Sequence, residues 1–134
     1  MRLLLDTHIL LWTLTDNPRL SPEARSLIND QSNQVLFSSA ALWEVEIKHQ
    51  AHPDRMLCDA EQVSGFANQS GFQCLQIAER HVLALPTLSY DQTAKSHNDP
   101  FDRIMVCQAK VDGLTFLTHD SLIPHYGESC VRLV

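Results

Sequence analysis

The chain has 134 residues, enough for one domain that buries about two thirds of its unfolded surface. A composition of 44% hydrophobic and 19% charged residues, with 4 Gly and 6 Pro, excludes a disordered, collagenous or coiled-coil protein. Ten Lys+Arg against 16 Asp+Glu leave a net charge of −6, which argues against duplex binding through a basic surface unless cations are recruited locally.

No apolar run approaches the roughly 18–20 residues that span a bilayer. Asp6 interrupts the opening Met-Arg-Leu-Leu-Leu run too early for a signal peptide. The expectation is a soluble, cytoplasmic domain covering 1–134, with no membrane contact. Cys58, Cys74, Cys107 and Cys130 lie far apart with no C-x-x-C pair, the pattern of small buried hydrophobes in a reducing compartment.

The apolar run Arg2 to Leu5 reads as a buried parallel strand that stops at Asp6 and feeds a helix over His8–Leu14. After the Asp16-Asn-Pro turn, Ser21-Pro22-Glu23 supplies an N-cap, a first-turn proline and an acid, opening a helix to about Asp30. Val35-Leu36-Phe37 is a short strand, and Ser38/Ser39 cap a helix from Ala40 to about His49. Asp59 with Gln62 forms a capping-box pattern for a helix ending near Gly71. Phe72–Ile77 alternates as a strand, Glu79–Leu85 is a short helix halted by Pro86, and Thr87–Asn98 is polar loop. Asp99/Pro100 begin an apolar helix to about Val111, closed by Asp112-Gly113. A strand at Leu114–Thr118, a helical turn at Ser121–His125 and a last strand at Cys130–Leu133 complete the chain. This alternation implies an α/β fold with a mostly parallel sheet covered by helices, whose ligands bind beyond the carboxyl ends of the strands.

Acids collect at that edge. Asp6 follows the first strand and Asp120 lies just beyond the Leu114–Thr118 strand. Glu44 sits within an apolar helix, and Asp102 shares a helix face with Met105, Val106 and Ala109, pointing toward the sheet. Each has an ordinary alternative: Asp6 as a strand-end turn residue, Glu44 as a surface partner of Lys48, Asp102 as a first-turn acid, Asp120 as a cap. Together they would repel one another unless a cation sat among them, and hard divalent ions prefer such oxygens.

Four blocks then become recognisable: Leu3-Leu4-Leu5-Asp6-Thr7-His8, Ser39 to Lys48 with its Trp43-Glu44 pair, His97-Asn98-Asp99-Pro100-Phe101-Asp102-Arg103, and Leu117-Thr118-His119-Asp120. In order and kind they resemble the PIN-domain nucleases, and within these the short VapC-type toxins of toxin–antitoxin modules, over essentially the whole chain. The resemblance implies a PIN-like three-layer α/β/α fold that cuts RNA phosphodiesters with Mg²⁺ or Mn²⁺. It implies an acid quartet of Asp6, Glu44, Asp102 and Asp120, with metal held chiefly by Asp6, Asp102 and Asp120. Asp99 matches an auxiliary acid or N-cap, Thr118 and Ser121 offer supporting hydroxyls, and Arg103 is either a phosphate contact or an ion-pair partner. Also implied are a homodimer, with Leu10, Leu11 and Trp12 as apolar candidates, and an antitoxin whose C-terminal segment, basic to suit the acidic site, lies across the groove. Ala51 to Met56 departs from the family pattern of glycine, lysine and leucine, which bears on the local substrate or partner surface.

Other chemistries fit less well. The position two residues after Asp6, where an aspartyl phosphatase wants its second acid, is His8. Phosphate-binding glycine motifs and G-x-S-x-G are absent, and His49 with His52 lacks further zinc ligands. The competing reading is a PIN-fold binding module with weak or no catalysis.

Overall fold

Leu3, Leu4 and Leu5 are all fully buried, although successive strand residues point to opposite faces of a sheet. Both faces of β1 (Arg2–Leu5) are therefore covered, as its unbroken apolar run requires. The computed structural model describes residues 1–134, and β1 is the centre of a five-stranded, wholly parallel sheet. Its neighbours are β2 (Gln34–Ser38) and β4 (Thr115–Thr118), with β3 (Gln73–Leu75) and β5 (Val131–Leu133) at the edges, in the order β3-β2-β1-β4-β5. The register sets Leu5 beside Phe37 on one side and Leu117 on the other.

Six helices cover the sheet: α1 (Thr7–Leu14), α2 (Pro22–Asn29), α3 (Ser39–Ala51), α4 (Ala60–Gln69), α5 (Glu79–Leu83) and α6 (Pro100–Asp112). Helices α1, α3 and α4 pack against one another, α5 packs on α6, and α3 touches α6. Between helices and sheet lies one cluster of 26 buried apolar residues, including Phe37, Phe116, Met105 and Ile123.

The chain runs outward from β1 through β2 to β3, then crosses back to β4 and β5. The order thus reverses between β1 and β4, and this switch point opens a crevice at the carboxyl edge of a parallel sheet. Asp6 and Asp120 follow those two strands.

Local signals hold where side chains cap helices. Ser21 accepts the Ala24 N–H, Asp59 and Gln62 exchange both capping-box bonds, and Asp99 accepts the N–H groups of Phe101 and Asp102. Gly113 ends α6 at φ 69°, a left-handed conformation that favours glycine. Several boundaries differ. Helix α1 starts at Thr7, because Asp6 itself is the cap, and α3 runs on to Ala51. Strand β3 is confined to Gln73–Leu75: the Ile77 N–H goes to the Ser39 hydroxyl instead of extending the ladder. Helix α5 stops at Leu83, and Pro86 falls in a separate 3₁₀ turn, Leu85–Thr87. The turn expected at Ser121–His125 is a 3₁₀ turn at Ile123–Tyr126, and β5 begins at Val131. Leu10 is fully buried in the core, so it does not belong to an apolar surface, whereas Leu11 and Trp12 are half-buried.

Candidate metal centre at the carboxyl edge

Asp6 is buried with both carboxylate oxygens committed. Oδ1 accepts the Ile9 N–H at 2.9 Å and Oδ2 accepts the Thr118 hydroxyl. The same hydroxyl accepts the Asp120 N–H at 3.0 Å, so Thr118 joins the acids that follow β1 and β4. Asp120 accepts the Leu122 N–H through Oδ1 at 2.9 Å, while its Oδ2 lies 3.9 Å from His97 Nε2.

Asp102 projects from the first turn of α6, with Oδ2 3.1 Å from the same His97 nitrogen. Glu44 is only 5% exposed on α3. Its Oε1 accepts the Thr7 hydroxyl at 2.6 Å and its Oε2 lies 2.7 Å from Lys48 Nζ. The i,i+4 pair with Lys48 exists, but the acid is buried rather than on the surface. Asp99 caps α6, Ser121 is exposed and bonds to none of the acids, and Arg103 points at Tyr126. The Arg103 guanidinium sits 5.7 Å from the Tyr126 ring centroid and donates to its hydroxyl at 3.4 Å.

Burial and like charge act together on these acids. Burial pushes the Asp102 carboxyl up to about 8, with the charges of Asp99, Asp6, Glu44 and Asp120 adding to the shift. All four other acids thus act on one carboxyl group. Burial also raises Asp6, against the lowering effect of its bonds from Ile9 and Thr118. A cation admitted here would relieve both.

Asp6 and Asp120 line a cleft of about 230 Å³ with His8, Trp12 and His119. The Trp12 ring lies 5.8 Å from His8 and 5.3 Å from His119. A larger hollow of about 810 Å³ opens at the opposite edge of the sheet, lined by residues 28–35 and 70–72 with Thr13. Its only acid is Asp30, so size does not follow chemistry here: the smaller cleft is the one lined by two of the four acids, Asp6 and Asp120.

The tightest convergence involves a residue to which sequence reasoning gave no role. Ligating atoms of His97, Asp102 and Asp120 all lie within 4.8 Å of one another, with Asp6 and Glu44 outside that group. His97 closes the polar stretch after Thr87, where no periodicity marks it. Its signal is its place at the head of the His97 to Arg103 block, two residues ahead of the helix-capping Asp99, which carries it to the mouth of α6.

The PIN domain family model matches residues 3–128, and the chain belongs to that family. No curated protein matches the sequence. Among solved structures, VapBC2 from Rickettsia felis, bound to a DNA fragment from its promoter, superposes with a TM-score of 0.67 at 16% identity, covering 100% of this chain and 98% of that one. A toxin–antitoxin complex from Klebsiella pneumoniae gives 0.58 at 22% identity, covering 96% and 94%. VapBC-1 from nontypeable Haemophilus influenzae gives 0.57 at 17%, covering 90% and 87%. At such identities the likeness is one of fold.

Proposed function

We propose that this PIN domain is a metal-dependent endoribonuclease, acting in the cytoplasm as the toxin of a toxin–antitoxin pair. The observation that carries this reading is the gathering of four acids at the switch point, where burial and the charges of its neighbours push the Asp102 carboxyl up to about 8.

The donor set fits Mg²⁺ or Mn²⁺, since carboxylate oxygens are the ligands such ions prefer. Asp6, Asp102 and Asp120 would hold the ion, with Glu44 in support. When bound, a divalent ion supplies Lewis-acid polarisation and neutralises charge that develops on phosphate oxygens. The protein's part is to hold its acids still. Ile9 N–H and Thr118 fix Asp6, while Thr7 and Lys48 fix Glu44, so little reorganisation is needed when substrate arrives. Arg103 would have to leave its contact with Tyr126 to reach a phosphate. The cleft between Asp6, Asp120 and Trp12 receives the strand, and cutting leaves a 5′-phosphate and a 3′-hydroxyl.

The antitoxin and a homodimer belong to the same proposal. Of the apolar candidates on α1, Leu11 is partly exposed and lies outside the cleft that Trp12 lines, and is the one offered to a second copy. Light scattering at micromolar concentration showing only a monomer would count against the dimer.

RNA cleavage tests the activity. The protein should cut RNA in Mg²⁺ or Mn²⁺, lose activity in chelator, and recover it when the ion is restored. Binding of a protein partner without any metal-dependent cleavage would leave complex formation as its service.

A further inference from the structure

We infer that His97 supplies a nitrogen ligand to the metal centre, which tilts the site toward manganese and other ions that accept imidazole, and away from magnesium. The inference rests on the proposal that the acids hold a divalent ion. It starts from the hydrogen-bond chain behind the ring.

Tyr126 is buried, and its hydroxyl has three neighbours. The His97 carbonyl oxygen, at 3.2 Å, accepts, so the single phenolic hydrogen goes there. All three contacts are hydrogen bonds at once only when the other two donate to Tyr126: Arg103 Nη1 at 3.4 Å and His97 Nδ1 at 2.7 Å. This assigns a hydrogen to Nδ1 and leaves Nε2 as the nitrogen that faces the acids. That atom lies 3.1 Å from Asp102 Oδ2 and 3.9 Å from Asp120 Oδ2.

The ring is also held sterically. Its side chain is 5% exposed, Tyr90 stacks near it at 6.3 Å with planes 23° apart, and the Tyr126 ring meets it at 89°. A histidine that donates one nitrogen to a fixed partner, and aims the other at carboxylates, has the arrangement found behind metal-ligating imidazoles. Magnesium takes oxygen ligands and keeps its waters, whereas manganese, which shares those oxygen ligands, also belongs to the first-row series that binds mixed nitrogen and oxygen sites, nickel and zinc more tightly still. The competing account is that His97 is only an ion-pair partner of Asp102, in which case an incoming ion would displace it and choice of ion would ignore it.

The two accounts separate on the full-length protein titrated by calorimetry with MgCl₂ and with MnCl₂ at one pH, beside His97→Gln. Gln keeps polarity and reach but has no imidazole nitrogen. His97→Gln should weaken Mn²⁺ binding about tenfold or more, the scale for loss of a ligand or its support, and change Mg²⁺ binding by less than about threefold. Independently, electron spin-echo spectroscopy of the Mn²⁺-loaded wild type should show coupling to a directly bound nitrogen. Tyr126→Phe should keep that coupling while lowering Mn²⁺ affinity severalfold. If both ions bind the wild type without nitrogen coupling, or His97→Gln weakens both ions equally, His97 is not a ligand and the acid metal centre stands without it. If neither ion binds the wild type, the metal reading falls and this inference with it.

Discussion

The hydroxyl of Thr118 donates to Asp6 across 112 positions of sequence, and accepts the N–H of Asp120 two residues on. One small side chain therefore ties together the acids that follow two adjacent parallel strands. Thr118→Val keeps the shape and removes the link, leaving a buried carboxylate oxygen and an amide hydrogen short of partners. It should cost about 1–3 kcal/mol of stability, the usual penalty for unsatisfied buried polar groups, and lower metal affinity about 10–100-fold. Thr118→Ser retains the hydroxyl and should behave nearly as wild type. Chemical denaturation and metal titration of the three proteins decide the matter. Identical behaviour of Val and wild type would show that the hydroxyl organises nothing.

Asp6→Asn and Asp120→Asn test the acids themselves. Each removes one negative charge at nearly constant shape, and an amide oxygen can still accept the local N–H. Cleavage should fall about a hundredfold or more, as expected when several kcal/mol of charge stabilisation are lost. Thermal stability without metal should hold or rise, because burial and like-charge repulsion both oppose the native carboxylate at Asp6. Parental cleavage by both variants at limiting Mg²⁺ would remove these residues from the site.

How much of this was legible beforehand depended on whether the cause was local. Caps at Ser21, Asp59 and Asp99 are set by side chains acting within three residues, and they read correctly. The inward face of α6 was legible because Asp102, Met105, Val106 and Ala109 repeat at helical spacing, and those three apolar residues are indeed buried. Helix α3 mixes apolar and charged residues around its circumference, so spacing could not choose a face. It buries Ala40, Ala41, Glu44 and Val45, and leaves Trp43, against Phe101, 59% exposed. His97 was illegible for another reason. Tyr126, 29 residues later, and Tyr90 hold it in place, and no rule of short range connects them. The Ser39–Ile77 bond that shortens β3 is likewise a contact 38 residues apart.

The Asp102 carboxyl gives a pH dependence whose sign can be worked out. Its folded value, about 8, lies above the ordinary 3.8, so without metal the folded protein holds this proton more tightly than the unfolded chain does. The stabilising contribution is complete below about pH 4 and is lost as pH rises through about 8. A bound divalent ion supplies the missing positive charge and releases the proton, so metal affinity should climb over the same window. The check is denaturation at pH 5 and pH 8, in chelator and in Mg²⁺, for wild type and Asp102→Asn. Wild type in chelator should be weaker at pH 8 than at pH 5, with Mg²⁺ closing the gap, and Asp102→Asn should show a smaller difference in chelator. Equal slopes for the two proteins would assign the dependence elsewhere.

An excess of buried acid also constrains how the protein can be silenced. With a net charge of −6, and with Glu44 alone among the acids around Asp102 paired to a lysine, the metal-free centre should attract a cationic side chain. The proposed antitoxin should therefore present an Arg or Lys to Asp6, Asp102 or Asp120. Arg is favoured, because its planar fork can pair with one carboxylate through two bonds. Apolar residues of the same segment would rest on the half-buried Trp12, which lines the cleft with Asp6 and Asp120, and on the exposed Trp43, supplying area that the charge pair does not. Truncating the cation should cost about 2–5 kcal/mol of binding if the pair is desolvated, since the acids are left uncompensated. Because peptide and metal compete for the same carboxylates, affinity should fall as Mg²⁺ rises. The measurement is a titration of the partner's C-terminal peptide, with and without its basic side chains, over a series of Mg²⁺ concentrations. Equal affinities for the two peptides, or binding that strengthens with Mg²⁺, would show that the segment does not act by taking the place of the metal.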